Sequence, residues 1–193
     1  MSSRVKNIKK VLLSDSWYTL NKVIFDYQMQ DGQWVEQARE AYDRGNGATV
    51  LLYNREKHTV ILIRQFRMPT FLNGNPSGMM IETCAGVLDG DDPETCVIKE
   101  AEEESGYRVR HIEKVFEAYM SPGAVTEILH FYIAEYRDED KVGKGGGLDH
   151  EQEDIEVLEV DFDRAMNMIA SGEIKDAKTI MLLQYARNNN LFD

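Results

Sequence analysis

The segment from Gly86 to Tyr107, GVLDGDDPETCVIKEAEEESGY, does most to limit what this chain can fold into. Asp92 followed by Pro93 has the form of a helix start. The aspartate can accept from orphan backbone N–H groups, and the proline lacks an N–H where none is needed. Gly106 suits the C-terminal stop. The helix predicted between them carries Glu100, Glu103 and Glu104 at spacings that share one side. At about 100° per residue, Glu104 falls within about 20° of Val97 and about 60° of Ala101. The acidic stripe therefore borders the apolar one. Like charges at this spacing oppose each other by about 0.2–0.5 kcal/mol per pair, and burial raises that cost. A hard divalent cation such as Mg²⁺, which takes oxygen ligands, reverses it. A solvated acidic face is the plainer reading of the helix alone. It does not account for the ordered spacing from Gly86 to Tyr107.

The 193-residue length fits one domain with a small extension, and 42% hydrophobic content is enough for a core. A formal net charge of −12 with no basic run argues against nucleic acid as a partner. Work on anionic phosphates then requires metal ions or a few placed Arg and Lys side chains. Cys84 and Cys96, predicted in a strand and a helix, read as buried thiols in a reducing compartment. Val11 to Leu13 is too short an apolar run for a signal peptide, and no stretch is long enough to span a membrane. The expectation is a cytoplasmic protein without a membrane partner. The four histidines are scattered, with no paired Ser or Cys pattern for a His-based nucleophile.

Along the chain, residues 15–43 read as extended segments around a hairpin turn at Asp31-Gly32. Residues 1–44 are expected to form an N-terminal β subdomain and residues 45–193 the main domain. In the latter, ATVLLYN, TVILIRQFR, MMIETCAG, VFEAYMSP, LHFYIAEY and IEVLEV read as strands. Phe162 to Ser171 and Lys175 to Asn188 read as closing helices, the second opened by Asp176. Strands interrupted by one helix and closed by others imply a layered α/β fold. Residues 138–154 form a polar loop in which Gly145 to Gly147 read as flexible linker rather than phosphate cradle, since no helix N-terminus follows. The loop ends in Glu151, Glu153 and Asp154. Any of the three could bring a carboxylate to a metal–substrate complex.

The segment from Gly86 to Tyr107 resembles the Nudix box, the signature of hydrolases that cleave a nucleoside diphosphate linked to another group. Gly86 matches its first position. Lys99-Glu100-Ala101-Glu102-Glu103-Glu104-Ser105-Gly106-Tyr107 matches its second half, with Lys for Arg and Tyr for the last aliphatic. The box is one residue short between Gly86 and Glu100, and Asp91 or Asp92 stands for its first Glu. The resemblance extends further. IRQFR and Ser121-Pro122-Gly123 look like ADP-ribose and sugar-nucleotide pyrophosphatases. YDRGNGATVLLYN, FLNGN, ETCAGVLDGDD, EAYMSPGAVTE and GEIKDAKT resemble the GDP-mannose hydrolase subgroup.

That resemblance implies a Nudix-type α/β/α sandwich of mixed sheets with an N-terminal β subdomain. It also implies Mg²⁺-dependent hydrolysis of a nucleoside diphosphate sugar. GDP-mannose is the expected substrate and ADP-ribose the alternative. A non-catalytic nucleotide-sugar sensor should have lost ligand carboxylates, and Glu100, Glu103 and Glu104 are all present. Glu100 and Glu104 are the expected metal ligands, joined by the Ala85 carbonyl and Glu153. Glu103 and Glu153 are the expected catalytic acids, Glu153 as general base, with Glu151 and Asp154 as alternatives. Substrate contacts are expected from Trp17, Ala38, Arg39, Glu40, Arg67, Ala85, Gly86, Val87, Glu104, Glu127, Gln152, Glu153 and Lys178. Trp17 would stack on the base, though a core or interface aromatic is the competing reading. Arg39 and Glu40 could equally form a cross-strand surface pair, and Lys178 could be a solvated lysine. Arg67 can grip phosphate with its planar fork. The resemblance further implies a homodimer in which the N-terminal segment completes the partner's site.

Overall fold

The computed structural model describes residues 3–148 and 152–192, so Glu151 lies outside the described residues. The chain divides into two compact units: residues 1–46 with 119–128, and residues 47–118 with 129–193.

The first unit is built on a three-stranded antiparallel sheet of β1 (Val5–Asp15), β2 (Thr19–Gln28) and β3 (Trp34–Asp43). The Asp31-Gly32 turn forms as its residues demand. Gly32 has φ of 86°, and Asp31 Oδ1 accepts from the Gln33 N–H at 3.0 Å. Strand β1 was not anticipated, because its lysine-rich run shows no clean alternation. Its residues are nearly all exposed, so no buried face imposes one. Among the described residues of this unit, only Glu127 is buried.

The second unit holds a seven-stranded sheet in the order β10-β5-β4-β9-β8, with β6 on β5 and β7 on β4. Its strands are β4 (Gly47–Asn54), β5 (Thr59–Phe66), β6 (Met79–Glu82), β7 (Cys84–Val87), β8 (Glu113–Tyr119), β9 (Ile128–Glu135) and β10 (Glu156–Asp161). The pair β4–β9 is parallel, while β4–β5, β4–β7, β5–β6 and β5–β10 are antiparallel. Every residue of β4 is buried, as befits a mainly apolar strand covered on both faces. Ala48, Val50 and Leu52 pack with Cys96 and Val97 of the box helix α2 (Pro93–Glu100). On the opposite face, Thr49 shares a hydroxyl network with Thr83 and Thr179 of α4 (Ala177–Asn188). With α3 (Phe162–Ser171) and the short α1 (Met68–Leu72), which the sequence reading missed, this is the expected α/β/α arrangement. Cys84 and Cys96 are buried free thiols.

MMIETCAG is not one strand. It breaks at Thr83, whose N–H donates to Thr179 Oγ1 at 2.7 Å instead of continuing a ladder. The break passes the chain from β5 to β4 and sets Glu82 and Ala85 on either side of the step. The triglycine also departs from expectation, being docked rather than a free linker. The Gly146 and Gly147 N–H groups donate to the carbonyls of Glu104 and Glu103 at 2.9 and 3.1 Å, satisfying orphan acceptors at the helix end. A Cβ on Gly145 would lie 2.5 Å from the Glu104 carbonyl oxygen, so only glycine permits this approach.

Candidate active site

The box helix starts as its sequence requires. Asp92 Oδ1 accepts from the N–H groups of Glu94 and Thr95, both at 3.1 Å, and Pro93 occupies the first turn. This divides the work of the two aspartates. Asp92 caps, while Asp91 Oδ2 accepts from Lys99 Nζ at 2.6 Å, so the lysine of the box has its own partner in the shortened loop. The last turn, Ala101–Ser105, is π-helical and closes at Gly106 with φ of 79°. Single π turns inside helices recur at functional sites, and this one carries Glu103 and Glu104.

Glu104 is only 2% exposed, close to the apolar stripe as its angular position requires. Its Oε2 accepts from the Ala85 N–H at 3.0 Å, tying the helix to β7. Burial pushes its carboxyl well above the usual range. The charges of Glu100 and Glu153 add to the rise, and the Ala85 N–H and Arg67 oppose it. Glu100 lies against the backbone of β7. A Cβ on Gly86 would fall 1.9 Å from Glu100 Oε1, which is why this position takes glycine at an ordinary φ. Glu153 returns from the glycine loop with its Oε2 accepting from the Leu148 N–H at 3.1 Å, and a Cβ on Gly147 would strike it.

Helix, β7 and loop thus bring Glu100, Glu104, Ala85, Gly86 and Glu153 into one neighbourhood. Glu103, half-buried on the same turn, presents its carbonyl to the loop. Among the described residues, no three His, Cys, Asp or Glu side chains form a closed metal-ligand set. The carboxylates are gathered but not caged. A buried acid whose ionisation is opposed by two neighbouring acids, set among carboxylate oxygens with the buried Cys84 thiol beside it, fits a divalent cation. Val87 is half-buried at the end of β7, and Gln152 is exposed with φ of 57°.

Beside the acids lies a cationic group that the sequence reading described only in part. Arg67, just past β5, donates from Nε to Glu82 Oε1 at 2.9 Å and from Nη2 to Oε2 at 3.1 Å. Lys178, in the first turn of α4, donates to the same Oε2 and lies 3.1 Å from Asp176 Oδ1. Its side chain is 12% exposed, so it is not a solvated lysine. Glu82 was missed. Burial alone would raise its pKa, but Lys178 and Arg67 overcome this and hold it at about 2. The available signal was a carboxylate inside an apolar strand, which is rarely buried without cationic partners.

The remaining expected contacts belong to the first unit. Trp17, between β1 and β2, is 84% exposed and is not a core aromatic. Ala38, Arg39 and Glu40 lie exposed on β3. Arg39 and Glu40 are successive strand residues on opposite faces, so they are not a cross-strand pair. Arg39 instead donates to the Ala38 carbonyl at 2.7 Å and to Gln37 Oε1 at 3.0 Å. Buried Glu127 faces Arg44 Nε at 3.6 Å.

Comparison with known proteins agrees with this geometry. A family model described as "NUDIX domain" matches residues 43–183. One described as "GDP-mannose pyrophosphatase NudK N-terminal domain" matches residues 4–42. Curated relatives called "GDP-mannose pyrophosphatase" from Escherichia coli O139:H28 (strain E24377A / ETEC), Shigella sonnei (strain Ss046) and Escherichia coli O157:H7 are each 54% identical over 193 residues. The match covers 100% of both chains in each case. With a box helix, a β7 glycine and a mixed sheet in the arrangement the sequence implied, the chain belongs to the Nudix hydrolase family.

Proposed function

We propose that this enzyme hydrolyses the diphosphate bond of GDP-mannose, giving GMP and mannose 1-phosphate, with Mg²⁺ as its metal. Nudix hydrolases generally use a divalent metal ion, and the gathered carboxylates of Glu100, Glu104 and Glu153 support the choice of Mg²⁺. The observation that carries the reading is the buried Glu104 beside Glu100 and Glu153, with the Arg67–Lys178 cation pair next to it. Glu100, Glu104, the Ala85 carbonyl and Glu153 would hold the metal in this reading. When bound, the ion stabilises charge on the phosphoryl oxygens and lowers the pKa of a coordinated water.

The protein groups supply the rest. Arg67 and Lys178 bind and orient the diphosphate. Glu153 takes the proton of the attacking water, and Glu103 supports the ligand geometry. Water adds at phosphorus, the bridging P–O bond breaks, and the phosphate of the leaving half departs with the sugar. Names of full-length relatives at 54% identity support GDP-mannose over ADP-ribose.

The protein acts as a homodimer in this reading, the segment 1–44 serving dimerisation and presenting Trp17, Ala38, Arg39 and Glu40 to substrate, with Glu127 a further contact. The support is a sheet that leaves Ile8 62%, Leu12 56% and Leu13 47% exposed. Three-stranded sheets gain independent stability from a covered apolar face. The cytoplasm is the proposed compartment, consistent with two free buried thiols and with no described helix being long and apolar enough to cross a membrane. The test is turnover of GDP-mannose and ADP-ribose side by side with Mg²⁺. Preference for GDP-mannose is expected. Faster cleavage of ADP-ribose would keep the chemistry and overturn the substrate.

A further inference from the structure

We infer that Glu82 is a positioning residue for the reaction: its buried carboxylate locks Arg67 and Lys178 into one cationic clamp that meets the substrate diphosphate. The inference rests on the proposed diphosphate roles of Arg67 and Lys178, and adds what makes them act together.

The two cations come from distant parts of the chain, the end of β5 and the start of α4. Left alone they would repel, and each long side chain would carry its full rotamer freedom. Glu82, 3% exposed at the end of β6, takes Arg67 through a two-point fork and Lys178 through one oxygen, while Asp176 braces the lysine from behind. The fork uses Nε and one Nη2 hydrogen. The Nη1 edge of a side chain that is 41% exposed stays available to an anion. Lys178 Nζ donates one hydrogen bond, to Glu82, and its ion pair with Asp176 leaves it further hydrogens for an anion. Charge within the cluster is balanced before substrate arrives, and its geometry is fixed by a residue that need not touch substrate. The clamp adjoins the acids, since Arg67 and Glu104 feel each other's charge.

The test is steady-state kinetics of E82Q, E82D, R67A, K178A, the double variant R67A/K178A and the triple variant with E82Q, alongside thermal melts. E82Q keeps the shape but cannot hold two cations. Its KM for GDP-mannose should rise about tenfold or more, with kcat changing less. E82D, which keeps the charge, should recover part of that loss. In the R67A/K178A background, E82Q should change KM by no more than about twofold, because nothing is left to position. A lowered Tm with KM unchanged in E82Q and E82D would overturn the inference and leave Glu82 a core ion pair. If R67A and K178A themselves leave KM unchanged, the diphosphate reading falls first and takes the clamp with it.

Discussion

Glu82 and Glu104 are both buried glutamates, 3% and 2% exposed, in the same unit of the protein. Glu82 is flanked by Arg67 and Lys178 and is held ionised, with a pKa of about 2. Glu104 is flanked by Glu100 and Glu153 and is pushed well above the carboxylate range, first by burial and then by those charges. Burial raises both, so the difference between them comes from their neighbours. One carboxylate already has its cations and serves as scaffold. The other faces two acids, and in the proposed reading it is where a divalent ion binds. A diphosphate with a divalent ion needs both, an anion-gripping side and a metal-gripping side.

The contrast can be broken from either side. The largest expected effect after metal ligation itself lies in the loop acid. Glu153→Gln should lower kcat by about 100-fold or more, as loss of a general base does, with KM changing little. An equal loss in Glu151→Gln with Glu153→Gln near normal would move the base to Glu151. Next comes Gly86→Ala. A methyl there would fall 1.9 Å from Glu100 Oε1, so Glu100 must be displaced. Turnover should drop by about 10- to 100-fold, since a shift of about 1 Å in a reacting group costs that much. Unchanged turnover at saturating Mg²⁺ would remove Glu100 from the metal side.

The smallest effect is on stability and belongs to Glu82. Its folded pKa of about 2 lies below its ordinary 4.5, so its contribution is complete above pH 4.5 and fades as pH falls toward 2. The full contribution is on the order of 3 kcal/mol. The gap in urea midpoint between the wild type and E82Q should therefore narrow between pH 5 and pH 3. A gap independent of pH would mean that the carboxylate is not held by its cations.

The metal side of this contrast was more legible in sequence than the cationic side. Asp92, Pro93 and Gly106 mark the ends of the box helix by local chemistry, and angular position alone puts Glu104 near Val97. Arg67 and Lys178 were found individually, but their shared anchor was not. Glu82 lies inside MMIETCAG, at the end of β6, and its partners Arg67 and Lys178 come from the end of β5 and from a distant helix, a meeting that no local pattern records. The triglycine was misread for a related reason. The N–H groups of Gly146 and Gly147 are satisfied by the Glu104 and Glu103 carbonyls, partners that lie outside the loop. Strand β1 escaped notice because periodicity records a buried face, and β1 has none.

The most direct test of a metal centre built on Glu104 is GDP-mannose turnover by the wild type and Glu104→Gln across a Mg²⁺ titration. The wild type should go from baseline under chelation to a saturable maximum. The variant should stay at least about 100-fold below it at every concentration, as expected when a central charge-stabilising element is lost. Near-normal turnover of Glu104→Gln at saturating Mg²⁺ would contradict the assignment.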